Sequence, residues 1–296
     1  SHDAEGSGGH RQTPRADGGP GPASRTTVGE ADPGAEDWSA TMTPPVLVTG
    51  GTGTLGRHAV PLLREAGREV RVLSRRRHTS GDGVEYTVGD LRRDVGVDAA
   101  VDGADTVLHL AGAPRGDDTA ARTLARAAAR AGVRHLVFIS IIGVDRVPLG
   151  FYRAKHRAER AVADSGVPWT VLRAAQFHDL VLAGVRNLAK IPVVPVPTGL
   201  RLQPVDAGEV AARLVALALG GPAGRVPDLA GPKVYAVGDL VRGYLRARGE
   251  HRLLLPVRTP GRIGRAYREG ANLAPPGAVT GGRSWEDFLA ERVGVP

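Results

Sequence analysis

Residues 46–56 read VLVTGGTGTLG. The first four, Val46-Leu47-Val48-Thr49, form a short apolar run. A strand has this character when both faces of its sheet are covered. The run then breaks at Gly50, Gly53 and Gly56. Glycine is needed where the backbone bends tightly and then lies close to a diphosphate. From Thr54 to Ala66 the chain turns helical, with Leu55, Ala59, Leu62, Leu63 and Ala66 at helical spacing. A helix start offers free N–H groups and a partial positive charge. Strand, glycine turn and helix in that order give the triplet its meaning as a dinucleotide site. Without that context it would be an ordinary strand-to-helix turn.

Working outward, strand-like and helix-like segments alternate. Strands are predicted at 69–73, 84–88, 105–110, 135–142 and 169–173, and helices at 119–132 and 151–165. Alternation at this spacing predicts parallel strands joined by right-handed crossovers. The fold class expected is α/β: a Rossmann-type doubly wound parallel sheet with a small C-terminal substrate-binding region. The pattern loosens after Phe177. The proline-broken stretch 191–197 is excluded as a central strand. A short strand at 202–205 leads into a helix Ala207–Leu219, for which Asp206 is the expected N-cap. Residues 221–283 are rich in Gly, Pro and Arg, with two or three short helices expected. The predicted division is a tail at 1–41, a dinucleotide-binding core at 42–178 and a substrate-binding region at 179–296, packed on the same domain.

Composition narrows the function. Residues 1–41 hold eight Gly and four Pro, with no periodicity and no apolar core of a signal peptide. They read as a disordered tail, an upstream extension or an expression remnant, with Met42, the only methionine, as a natural or alternative start. No run of 18 apolar residues exists, so no membrane span is expected. The chain has no cysteine, which excludes disulfides and thiolate chemistry. His and carboxylate spacing fits no metal site. The net charge is +8, and the tail carries seven acids against three bases, so the body is near +12. The basic residues are dispersed and aromatics make up only 4%. Nucleic acid is therefore not an expected partner. A small-molecule substrate and a cytoplasmic location are expected, and a homodimer would be in keeping with the fold.

Several residues carry chemistry at the predicted carboxyl ends of the strands. Gly50, Thr52, Gly53, Thr54, Leu55 and Gly56 are expected to surround the diphosphate. Ser74, Arg75, Arg76 and Arg77 follow the second strand, where NAD-binding chains usually place Asp or Glu. A carboxylate would repel a 2′-phosphate, whereas arginine forks it. NADPH is accordingly the expected cofactor, favoured over NAD; solvated loop charge is the other reading of these arginines. Asp90, followed by Leu91, would bond the adenine amino group or simply cap the next turn. Leu110, Ala111 and Gly112 would let backbone pass close to a ribose or nicotinamide. Lys155 is one of only three lysines among 39 basic residues, which suggests a need for a compact ammonium, here toward the nicotinamide ribose. Phe177 would wall the nicotinamide face. His178 would act as an acid or sit as a structural histidine. Gln176, Asp145 and Arg146 lie near the same edge.

Together these residues resemble the short-chain dehydrogenase/reductase superfamily, over about residues 46–220. TGGTGTLG, the arginines after the second strand, Gly89-Asp90-Leu91 and Leu110-Ala111-Gly112 stand in the superfamily's order. GGTGTLG, PWTVLRAAQFHD and SWEDFL are most similar to its atypical NmrA-like branch, which includes quinone, azo-dye and triphenylmethane-type reductases as well as non-catalytic redox sensors. The resemblance implies a Ser at Ser140 in the active site and a Tyr-x-x-x-Lys helix around Lys155. The chain departs here: four residues before Lys155 stands Phe151, which has no proton to give. Tyr152, three before, is the displaced candidate acid, or else a packing residue. The resemblance implies an NADPH-dependent oxidoreductase delivering hydride to a small conjugated acceptor such as a quinone, an enone or a dye-like compound. The missing Tyr keeps a non-catalytic NAD(P)-sensing protein as the alternative, and a nucleotide-sugar epimerase or dehydratase as a third.

Overall fold

A computed structural model describes residues 43–113 and 115–293, so the reading of residues 1–41 lies outside the described residues. The first half follows the predicted strands and helices, with one short helix, α2, that was not predicted: β1 (Val46–Thr49), α1 (Gly56–Glu65), β2 (Val70–Ser74), β3 (Val84–Val88), α2 (Val97–Val101), β4 (Thr106–His109), α3 (Asp117–Arg130), β5 (His135–Ile141), α4 (Gly150–Ala163) and β6 (Trp169–Ala174). The second half is richer than predicted. It holds α5 (His178–Ala189), β7 (Val193–Thr198), β8 (Arg201–Leu202), α6 (Ala207–Leu219), β9 (Gly224–Arg225), β10 (Leu229–Ala230), β11 (Tyr235–Ala236), α7 (Val237–Ala247), β12 (Leu253–Arg258), α8 (Gly261–Arg268), β13 (Val279–Thr280) and α9 (Trp285–Val293).

The main sheet runs β3-β2-β1-β4-β5-β6, extended by β10 and β13, with β9 also against β6. All its pairings are parallel, so every strand delivers its carboxyl end to the same edge. Strand order reverses between β1 and β4, and a crevice opens at such a point. The expected doubly wound α/β sheet is therefore what the chain forms.

Alternation of side chains across the pleat explains the layering. Val46 and Val48 face one core with Leu63, Leu214 and Leu217, beneath α1 and α6. Leu47 and Phe138 face the other, with Leu124, Ala128, Ala158 and Val162 of α3 and α4. Both faces are thus covered, and all four residues of β1 are buried. A third core joins α5, α7 and α9 to β7. As the prolines required, β7 stays out of the main sheet and pairs in parallel with β12 alone. Asp206 caps α6, accepting from the N–H groups of Gly208 and Glu209.

One ion network runs from the interior out to the exposed Asp145. Arg173 on β6 is 5% exposed and forks Glu159 of α4 with two 2.7 Å bonds. It also donates to Asp145, in the turn after β5, at 3.0 Å. The pair ties α4 to the sheet. Removing one partner leaves the other charge buried and unpaired. Arg173→Met is expected to lower unfolding free energy by about 3–5 kcal/mol, measured by urea titration. A loss below about 1 kcal/mol, typical of a surface pair, would contradict this account.

Candidate functional site

The glycine turn has no spare volume. Gly50 takes a left-handed φ of +74°, and a Cβ there would stand 2.6 Å from the backbone nitrogen of Ala111. The turn after β1 therefore touches the backbone leaving β4. A Cβ on Gly56 would fall on the carbonyl of Gly51, so α1 begins directly against the turn. Gly53 donates its N–H to the Gly50 carbonyl at 2.9 Å and closes the loop. Thr52 and Gly53 are exposed at its tip. Leu55 precedes α1 and provides no side-chain cap, and no acid stands in the first turn. The N–H groups of Arg57, His58 and Ala59 already donate to the carbonyls of Gly53 and Leu55, so the N–H of Gly56 is the group that the start of α1 offers. The residues present thus fit a diphosphate: small, uncapped and free of negative charge. Leu55, Leu91 and Leu110 are buried in the cores.

At the end of β2, Ser74 is partly buried, and its Oγ accepts from the N–H of Arg76 at 3.2 Å and lies 3.1 Å from His78 Nε2. Arg75 and Arg76 are exposed, and neither side chain makes an ion pair among the described residues. Asp90 Oδ1 accepts from the N–H of Arg92 at 2.8 Å, so the carboxylate caps its own turn, the plainer of its two readings.

Beneath the β4 exit lies a buried polar cluster. Lys155 is 5% exposed and donates to Asp117 Oδ2 at 3.1 Å, while Asp117 Oδ1 accepts from the N–H of Ala113 at 2.6 Å. The ammonium lies 4.8 Å from the centre of the Phe138 ring. A Cβ on Gly112 would stand 3.8 Å from Lys155 Nζ. Lys155 therefore faces the Gly112 backbone, held there by Asp117, an acid in the first turn of α3 that no motif marks in the sequence. His109 is buried, with Nδ1 2.6 Å from Thr49 Oγ1 and its ring stacked on Phe138. Burial, aided by the Lys155 charge, lowers its pKa to about 3. It is a neutral structural link between β1 and β4.

On the substrate side, Ser140 of β5 is 3% exposed and its Oγ has no hydrogen-bond partner. Tyr152 is 5% exposed, and its hydroxyl accepts from Gln176 Nε2 at 3.2 Å. Phe177 is partly buried against the core below α1 and α6 and bridges to Val205. His178 departs from expectation. It opens α5, whose buried residues His178, Val181, Leu182, Val185 and Ala189 recur at helical spacing. That face packs inward, so His178 is 0% exposed, stacked on Phe288 and tilted against Trp285. Burial lowers its pKa to about 4. It is a core histidine and not an acid of the open edge. The periodicity 178, 181, 182, 185 was the signal that identifies it.

The residue pattern of a family described as NAD(P)H-binding matches residues 50–218, more than half of the chain. The chain belongs to the NAD(P)H-binding family. Within it, a curated relative from Streptomyces griseus, a (4-alkanoyl-5-oxo-2,5-dihydrofuran-3-yl)methyl phosphate reductase, is 35% identical over 69% of this chain and 74% of its own length. An NAD(P)H azoreductase from Xenophilus azovorans is 28% identical over 69% of this chain and 74% of its own. Among solved structures, the Citrobacter sp. triphenylmethane reductase complexed with NADP(H) superimposes with a TM-score of 0.68. It shows 17% identity, covering 83% of this chain and 99% of that one, a likeness of fold. The cofactor class of this family, NAD(P)H, is the one the glycine cradle fits. No helix of the described residues is long and apolar enough to cross a membrane.

The two neutral histidines make stability depend on acid. Below their ordinary pKa of 6.5 the unfolded chain takes up protons that the native protein refuses. Native stability is therefore expected to fall as pH drops from about 6.5 toward 4, with a slope approaching about 1.4 kcal/mol per pH unit for each histidine. His178→Phe should flatten that loss in pH-dependent urea melts and leave cofactor affinity unchanged. A large drop in cofactor affinity would restore His178 to the site.

Proposed function

We propose that this protein is an NADPH-dependent reductase that delivers hydride to a small conjugated acceptor. The observation that carries the cofactor half is the pairing of an uncapped glycine cradle with Arg75 and Arg76, exposed and without ion pairs among the described residues at the next strand end. When bound, NADPH supplies the hydride. The chain's own residues bind and orient it. The α1 start receives the diphosphate, Arg75 and Arg76 fork the 2′-phosphate, and Lys155, held by Asp117, is presented at Gly112 toward the ribose.

The acceptor half rests on chemistry shared by the named relatives. An azo bond, the ring of the Escherichia coli quinone oxidoreductase's substrate and a dihydrofuranone bearing an alkanoyl group are all conjugated electron acceptors. Hydride addition to such a system spreads charge by delocalisation. A site whose helix carries Phe151 in place of the aligned tyrosine suits that demand, because orientation supplies most of the rate. The same Phe151 favours the second reading, a sensor that binds NAD(P)H without turnover.

The test is consumption of NADPH, followed by its near-ultraviolet absorbance, across a panel of quinones, enones and azo dyes. At least one acceptor is expected to be reduced. Binding without consumption on every acceptor would favour the sensor. The double change Arg75→Ala/Arg76→Ala is expected to raise the KM for NADPH about 10–100-fold, as loss of charge-assisted bonds worth about 1.5–3 kcal/mol requires. The KM for NADH should move little. Equal effects on both cofactors would remove these arginines from 2′-phosphate recognition.

A further inference from the structure

The ribbon of β7 and β12 is apolar on both faces, and the fold covers only one. Val194 is buried, and Val196 and Leu254 pack beside it on the core of α5, α7 and α9. Side chains alternate along a strand, and the register pairs Val193 with Leu253, Pro195 with Leu255 and Pro197 with Val257. These six residues therefore share the opposite face. Leu253 is 67% exposed, Leu255 52%, Val193 41% and Val257 40%. Ile191, two residues before Val193, is also exposed and extends the row. Single exposed apolar residues are ordinary, whereas a continuous face of them marks a surface of interaction.

The charge around this face has one sign. Residues 251–268, from just before β12 to the end of α8, hold five arginines and one histidine and no Asp or Glu. Lys190 precedes Ile191, Arg258 ends β12 and Arg262 stands in the first turn of α8, and all three are exposed. Arg252 pairs with Glu250 at 3.2 Å, whereas Arg258, Arg262, Arg265 and Arg268 meet no acid among the described residues. The occupant of the face must therefore be apolar in part and anionic in part. A second copy of the chain would set arginine against arginine across a twofold contact. A strand added at the free edge of β12 would meet Pro256, which has no N–H to give. An anionic lipid surface satisfies both demands. Apolar side chains enter the boundary between headgroups and acyl chains, while flanking cations bond the lipid phosphates.

We propose that the outer face of the β7–β12 ribbon, with Lys190, Arg258 and Arg262 at its ends, docks this protein on the surface of an anionic phospholipid bilayer. The contact is peripheral: Leu253, Leu255, Val257, Val193 and Ile191 enter the interface, and the cations stay at headgroup level. The docked face also adjoins the candidate site. A Cβ on Gly143, in the turn after β5, would fall on the carbonyl of Ala271, just past α8, and Arg146 of that turn donates to the Leu273 carbonyl at 3.4 Å. The inference does not depend on the reductase reading.

The full-length protein is sedimented with vesicles of phosphatidylcholine alone, and of phosphatidylcholine mixed equally with phosphatidylglycerol. Binding to the mixed vesicles is expected, weakening as salt rises and about tenfold or more weaker on the neutral ones. Leu253→Gln/Leu255→Gln should lower affinity for the mixed vesicles about 10–100-fold. Arg258→Gln/Arg262→Gln should lower it about 30-fold, from about fivefold for each charge. All four side chains are exposed, so the melting temperature should stay unchanged in both variants. Arg130→Gln/Leu219→Gln, one exposed cation and one exposed leucine at the ends of α3 and α6, should leave binding as it is. Absence of binding to the mixed vesicles at low salt, or an equal loss in the α3–α6 variant, would overturn the proposal. So would a dimer in analytical ultracentrifugation that Leu253→Gln/Leu255→Gln dissolves while vesicles stay unbound, since the face would then belong to a second copy. NADPH consumption, read separately, decides the reductase reading and leaves this one untouched.

Discussion

The turn after β1 lies against the backbone that leaves β4, with no room for a side chain between them. That approach is what the rest of the structure depends on. It requires glycine at position 50, in a conformation other residues adopt at a cost. It brings the start of α1 to the point where strand order reverses. A crevice for ligands opens at such a reversal. Every other group of the candidate site is placed by reference to this junction, because parallel strands bring all their carboxyl ends to one edge.

Around it, the protein keeps charge in matched sets. Lys155 is buried but answered by Asp117, and Arg173 by Glu159 and Asp145. Unpaired, either cation would be costly in that environment. The two sets serve different ends. Arg173 faces into the fold and ties α4 to β6. Lys155 faces the backbone of Gly112, where a ribose would pass. Two neutral histidines, His109 and His178, fill core positions beside these sets, and their reluctance to charge follows from burial first.

Much of this was legible in the chain. The strands and helices from Val46 to Ala174 other than the short α2, the exclusion of β7 from the main sheet by its prolines, the cap at Asp206 and the glycine cradle all follow from local rules. Each depends on residues close in sequence. What was not legible came from contacts between distant segments. Asp117 is a first-turn acid like many others until α4 brings Lys155 to it across 38 residues. The end of α8 lies in an arginine-rich stretch with no motif until the fold sets the Ala271 carbonyl against Gly143 in the turn after β5. The pairing of β7 with β12 joins two short segments about 60 residues apart, neither of which would stand as a strand alone.

His178 shows the division most plainly. Read as a lone histidine after β6, it belonged to the open edge, and read as the first residue of an amphipathic helix it belonged to the core. Periodicity fixes which residues share a face, and so the strands, the helices, the cradle and the cationic strand end were already written in the order of residues. Direction was not, since whether a face meets solvent, ligand or another helix depends on what packs against it. Only the assembled fold turned His178 inward and set Asp117 under Lys155, because burial and pairing belong to neighbours in space and not in sequence.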